Sequence, residues 1–122
     1  MRPDPMTPEA LATLILAHRF RFSNERELQD GLARIFEARG LAFGREVRLG
    51  TIGTIDFLIG DVGIEVKIDG SLAALTRQLH RYAQADAIGA LVVVAGRARF
   101  RGLPPAIADK PIRVIHLGDS AW

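Results

Sequence analysis

The run Ala90-Leu91-Val92-Val93-Val94-Ala95 constrains the fold more than any other stretch of this chain. It is continuously apolar and rich in β-branched residues, with neither a helical stripe nor the alternation of a half-exposed strand. Such a run suits a strand covered on both faces. A strand covered twice needs helices on either side of its sheet, and the sequence supplies patterns for them.

Thr7-Pro8-Glu9 reads as a helix start, with a hydroxyl cap, proline in the first turn and an acid near the positive end of the dipole. Leu11, Leu14, Ile15 and His18 recur at helical spacing, and the helix is expected to fray near Phe20. Ser23 is expected to cap a second helix with the stripe Leu28, Leu32, Ile35 and Phe36, stopped by Gly40. Three short strands follow, Phe43–Leu49, Thr54–Ile59 and Ile64–Ile68, with glycines at 44, 50, 53, 60 and 63 within or around them. Ser71 then caps a helix through about Asp86, with Leu72, Leu75, Leu79 and Tyr82 on one stripe. After the apolar strand, Gly102-Leu103-Pro104-Pro105 is a loop and Ile112–Leu117 is a candidate last edge strand. The order α-α-β-β-β-α-β, with this further strand at the end, predicts an α/β fold, a mixed sheet flanked by helices.

Composition narrows the function classes. At 122 residues the chain is the size of one domain, expected over 1–122. There is no cysteine, which excludes disulfides and cysteine-ligated zinc or iron–sulfur sites. A formal net charge of +2 excludes a heavily basic nucleic-acid wrapper. No apolar run is long enough for a membrane span, and Met1-Arg2-Pro3-Asp4-Pro5 does not read as a signal peptide, so a cytoplasmic protein is expected. Lysines stand only at 67 and 110, against arginine at every other basic position. A lysine inside an apolar strand is therefore worth explaining.

That lysine lies in the stretch Thr54 to Ile68. Alternation puts Ile55, Phe57 and Ile59 on one face of the first strand, with Asp56 and Leu58 on the other. In the next strand Ile64, Val66 and Ile68 share a face opposite Glu65 and Lys67. With Asp61-Val62 as a two-residue turn, Leu58 faces Glu65 and Asp56 faces Lys67, so Asp56, Glu65 and Lys67 emerge from one side. A three-residue turn would separate Asp56 from the other two. The plain reading of such a cluster is a cross-strand ion pair worth ~0.2–1 kcal/mol. The chemical reading is a divalent-metal site, because two carboxylates and a backbone carbonyl suit Mg²⁺, which keeps other positions for water and phosphate. A lysine beside the metal can orient water and stabilise developing charge, and unlike arginine it can exchange a proton.

Asp56 followed nine residues later by Glu65-Val66-Lys67 resembles the D…(D/E)xK signature of the PD-(D/E)xK nuclease superfamily, with Ile55 where the motif's proline would stand. The placement of these residues on the second and third strands of an α-β-β-β-α-β series is similar to that superfamily's restriction-endonuclease-like core, over roughly residues 23–95. Gln78 and Tyr82, four apart on the following helix, resemble the QxxxY motif of the RecB-like branch, in which the glutamine lies beside the metal and the tyrosine supports the site or contacts nucleic acid. Asn24-Glu25-Arg26-Glu27-Leu28 is similar to the first-helix segment of the archaeal Holliday-junction resolvases, where a glutamate reaches the metal. Glu25 lies on the Leu28/Leu32 side and Glu27 further round, and either acid also suits a helix N-terminus.

The resemblance implies a Mg²⁺- or Mn²⁺-dependent deoxyribonuclease. Asp56, Glu65, Lys67 and Gln78 would be its catalytic residues; Asp56, Glu65, the Val66 carbonyl and Glu25 would hold metal; Tyr82, Arg77 and Arg81 would meet substrate. It implies DNA as partner, no membrane, and compatibility with a homodimer. The alternative is a catalytically silent module of the same fold that binds nucleic acid or a protein. Arg97, Arg99 and Arg101, if extended, would form a strip along a phosphate backbone, or else a solvated edge that deters aggregation. Glu46 is read as a surface strand residue, and His18, His80 and His116 have no ligand spacing.

Overall fold

A computed structural model of the chain describes residues 6–97 and 100–118. The first helix, α1, runs Pro8–Leu16, with the Thr7 side chain accepting a hydrogen bond from the Ala10 amide. It ends before His18, which lies exposed beyond the apolar stripe. The second, α2, runs Glu25–Ala38, and its cap is Asn24 rather than Ser23. The Asn24 side chain accepts from the Glu27 amide, and the Glu27 carboxylate accepts from the amide and hydroxyl of Ser23. Two side chains thus close the helix start reciprocally, one residue later than the hydroxyl alone indicated. These bonds hold the Glu27 carboxyl below the usual carboxylate range.

Strands β1 (Gly44–Arg48), β2 (Thr54–Ile59) and β3 (Val62–Lys67) form an antiparallel meander. Helix α3 (Leu72–Ala83), capped by Ser71, stops short of Asp86 and leads into β4 (Ala90–Ala95), which pairs parallel with β3. A two-residue strand β5 (Ala106–Ile107) and β6 (Lys110–His116) complete a mixed six-stranded sheet in the order β1-β2-β3-β4-β6-β5. The last long strand is therefore not the edge. It pairs parallel with β4 on one side, and β5 covers its first two residues on the other.

The prediction for β4 holds in full. Val92 and Val94 pack with α1 and α2, while Leu91, Val93 and Ala95 pack with α3. Helices therefore sit on both faces of the sheet, and every residue of β4 is buried. The arginines beyond β4 do not extend it: Arg97 lies in a bend and Arg101 in a turn, and Arg99 falls outside the described residues.

Candidate active site

The β2–β3 hairpin turns at Gly60-Asp61, one residue earlier than expected, with Gly60 at φ 59° in the left-handed region that glycine tolerates. Ile59 pairs with Val62, Leu58 with Gly63 and Phe57 with Ile64. The shift moves the register by two residues, so the parity of the pairing is unchanged. One step further on, it sets Asp56 opposite Glu65, where Lys67 had been expected.

Regular pairing stops at that step. The Val66 amide donates to Asp56 Oδ2 at 2.8 Å, and the Asp56 amide donates to Glu65 Oε1 at 3.4 Å. Two carboxylates have replaced carbonyls as the partners of ladder amides. The chain on the other side of β2 is disturbed at the same level, for Glu46 on β1 has φ 54°, a conformation unfavourable for a residue with a Cβ. Side chains change faces across this kink. Arg45 stacks on the Phe57 ring on the α2 side, whereas the paired Val47 and Ile55 pack with α3. Ile55 therefore does not share a face with Phe57 and Ile59. Gly63 makes room for it, since a Cβ there would lie 2.5 Å from Ile55 Cδ1.

Glu65 is 4% exposed, the one charged residue among the described buried positions. Its Oε2 lies 3.9 Å from Lys67 Nζ and 3.3 Å from the Tyr82 hydroxyl. That hydroxyl also lies 2.9 Å from the Thr54 carbonyl and accepts from Gln78 Nε2 at 3.1 Å. Burial, and then the Asp56 charge, push the Glu65 carboxyl up to about 8, with Lys67 acting in the opposite sense. Burial also raises Asp56, against the Val66 amide bond that lowers it. Burial and the Glu65 charge raise the Tyr82 hydroxyl above its ordinary value. The pair is thus costly to ionise fully, and added positive charge beside it would favour both carboxylates.

Two further predicted groups are near. The Lys67 carbonyl accepts from the Gly96 amide, so odd-numbered residues of β3 bond to β4 and the Val66 carbonyl is directed towards β2, the side of Asp56. Glu25 reaches the end of β3, where its Oε2 accepts from the Ile68 amide at 3.3 Å, and its charge raises Asp56. Glu27 is occupied in its own helix cap. Among the described residues no three histidine, aspartate or glutamate side chains converge closely enough to hold a metal by themselves.

Arg77, Gln78 and Arg81 line a cleft of about 310 Å³ that also contains Lys67. Asp69 and Ser71 line it too, which the motifs had not indicated; their signal was the Gly70 break that ends β3 and starts α3 just after Lys67. Tyr82 is 3% exposed and belongs to the core beneath Glu65. Of the remaining candidates, Glu46 is exposed and pairs loosely with Arg26 at 4.0 Å, and Arg97 meets Asp69 at 3.6 Å. The His116 ring accepts from the Phe100 amide. Comparison of the chain with protein-family models, with curated proteins and with solved structures gives no match.

Proposed function

We propose that this chain is a metal-dependent nuclease that hydrolyses phosphodiester bonds in DNA, with a restriction-endonuclease-like core of the PD-(D/E)xK type. One observation carries the reading. Asp56 and Glu65 meet where the β2–β3 ladder breaks, with Lys67 3.9 Å from Glu65. A merely structural salt bridge gives no reason to bury one acid against another. The order of helices and strands from α2 to β4 is consistent with the proposed core.

The donor set fits Mg²⁺ or Mn²⁺. Asp56, Glu65 and the Val66 carbonyl supply hard oxygen ligands, few enough to leave positions for water and phosphate. When bound, the metal lowers the pKa of a water and offsets charge on the phosphodiester. Lys67 orients the attacking water and stabilises the charge that develops on the phosphate oxygens. Arg77 and Arg81 hold the phosphate backbone in the adjoining cleft. Gln78 and Tyr82 position Glu65 through their hydrogen-bond chain. Glu25 is auxiliary, fixing the end of β3 beside Lys67.

The test is a panel of labelled single-stranded, duplex and four-way-junction DNA incubated with Mg²⁺ or Mn²⁺. The unmodified protein should cleave at least one substrate, and Asp56→Ala and Lys67→Ala should lower the rate by roughly 10²-fold or more. Equal cleavage by these variants sinks the proposal. The second reading, a silent module of the same fold, draws on the absence of a third converging acid among the described residues. Calorimetric titration with Mn²⁺ separates the two: a catalytic site binds the ion and loses it in Asp56→Ala, and a silent module shows no such binding.

A further inference from the structure

A cavity of about 470 Å³ beside α2 shares no lining residue with the carboxylate site. It runs along the outer side of α2 from Gly31 to Arg39, a span of about 12 Å, and is closed by the chain that leaves α1. Its rim carries Arg19, Arg21, Arg34 and Arg39, all exposed, with no acidic side chain among the described lining residues. Its floor is apolar, built from Leu14, Phe20 and Ile35.

This groove combines a cationic rim with an apolar floor. Three arginines elsewhere meet carboxylates, Arg45 with Asp30, Arg26 with Glu46 and Arg97 with Asp69, while Arg77 and Arg81 line the cleft beside Lys67. Among the described residues, none of the four groove arginines forms an ion pair. A chain with a net charge of only +2 thus gathers four arginines around one apolar trough, with Asp30 near enough to feel the Arg34 charge. A nucleic-acid backbone would satisfy the rim and leave the floor uncovered. A neutral apolar segment would do the reverse.

We infer that this groove is a docking site for an acidic amphipathic segment of a protein partner, with apolar side chains on the floor and carboxylates against the arginines. A groove two helical turns long, with an apolar floor between charged rims, matches the helix-in-groove mode of recognition. The partner is distinct from DNA, and its seat lies away from the β2–β3 break.

The probe is a fluorescein-labelled peptide with leucines along one helical face and glutamates along the other, titrated into the full chain by fluorescence anisotropy. Saturable binding is expected. It should weaken at least about tenfold in the exposed charge-reversal variant Arg34→Glu/Arg39→Glu, and likewise in Ala38→Trp, which fills the groove and keeps its charges. Replacing the peptide's glutamates by glutamine, or its leucines by serine, should each weaken binding. The inference is overturned by no binding, by variants that bind as the parent does, or by a serine-substituted peptide that binds equally well, which would reduce the site to charge alone. Loss of duplex DNA binding in the charge-reversal variant, with no peptide binding to the parent, would also overturn it and assign the groove to nucleic acid. Cleavage activity is a separate readout, so failure here and failure of the nuclease proposal are distinguishable.

Discussion

Strand β4 and the open end of the β2–β3 hairpin are neighbours in one sheet and obey opposite rules. In β4 the ladder is regular on both sides, every side chain is apolar, and the helices of both layers pack on it. At the hairpin end the ladder stops after Phe57–Ile64, carboxylates take the amides, an acid is buried against another acid, and the adjoining β1 backbone enters a left-handed conformation at Glu46. The first region is what a sheet adopts when all local preferences agree. The second gives up stability to hold a particular set of polar groups, and such departures concentrate where chemistry is done.

Stability measurements can break this contrast. The largest effect is expected in β4, where Leu91 is fully buried: Leu91→Ala should cost about 2–5 kcal/mol in denaturant unfolding. A small loss there would mean that the regular half is not the stabilising half.

The hairpin end should respond in the other direction. The Glu65 carboxyl keeps its proton to about pH 8 in the folded chain and releases it near 4.5 when unfolded. Between those values the folded state binds more protons, so stability falls as pH rises. The raised Asp56 adds to the same trend. Glu65→Gln cannot ionise, so it should flatten the decline and be more stable than the parent near pH 8. If its melting temperature falls with pH as steeply as the parent's, burial of the acid is not the source of the cost.

Smaller effects sharpen the picture. Tyr82→Phe removes the partner of the Thr54 carbonyl and of Gln78, and should destabilise by about 1 kcal/mol while shifting the pH profile of cleavage through Glu65. An unchanged profile would make Tyr82 a packing residue only. Glu46→Gly relieves the left-handed strain and gives up only a weak exposed ion pair, so a gain of up to about 1 kcal/mol is expected in thermal melting. A loss would show that the Glu46 side chain contributes more than its exposure indicates.

Much of this organisation was legible from one dimension. Sequence patterns located the three described helices and every described strand but β5, and the caps at Thr7 and Ser71 follow because a hydroxyl before an apolar helix has few other uses. The cap of α2 was missed by one residue because Ser23 and Asn24 are both competent, and the reciprocal bond with Glu27 decides between them. The hairpin register was displaced because both Gly60-Asp61 and Asp61-Val62 are two-residue turns of the same parity. Asp56, Glu65 and Lys67 still meet, but through the bonds at the ladder break rather than through parity, because the kink moves Ile55 to the other face. Tyr82 packs with the α3 stripe of Leu75 and Leu79, as its spacing indicates.

Alternation and composition thus determined the layers of this protein and set Glu65 and Lys67 on one side of β3, because the period of side chains along a regular strand is a local property. The kink at Glu46, the crossing of Ile55 to the α3 side, the meeting of Asp56 with Glu65, the burial of Glu65 and the gathering of four arginines beside α2 were decided only in three dimensions. Each depends on which distant groups exclude water or compete for one hydrogen bond, and no local pattern encodes that.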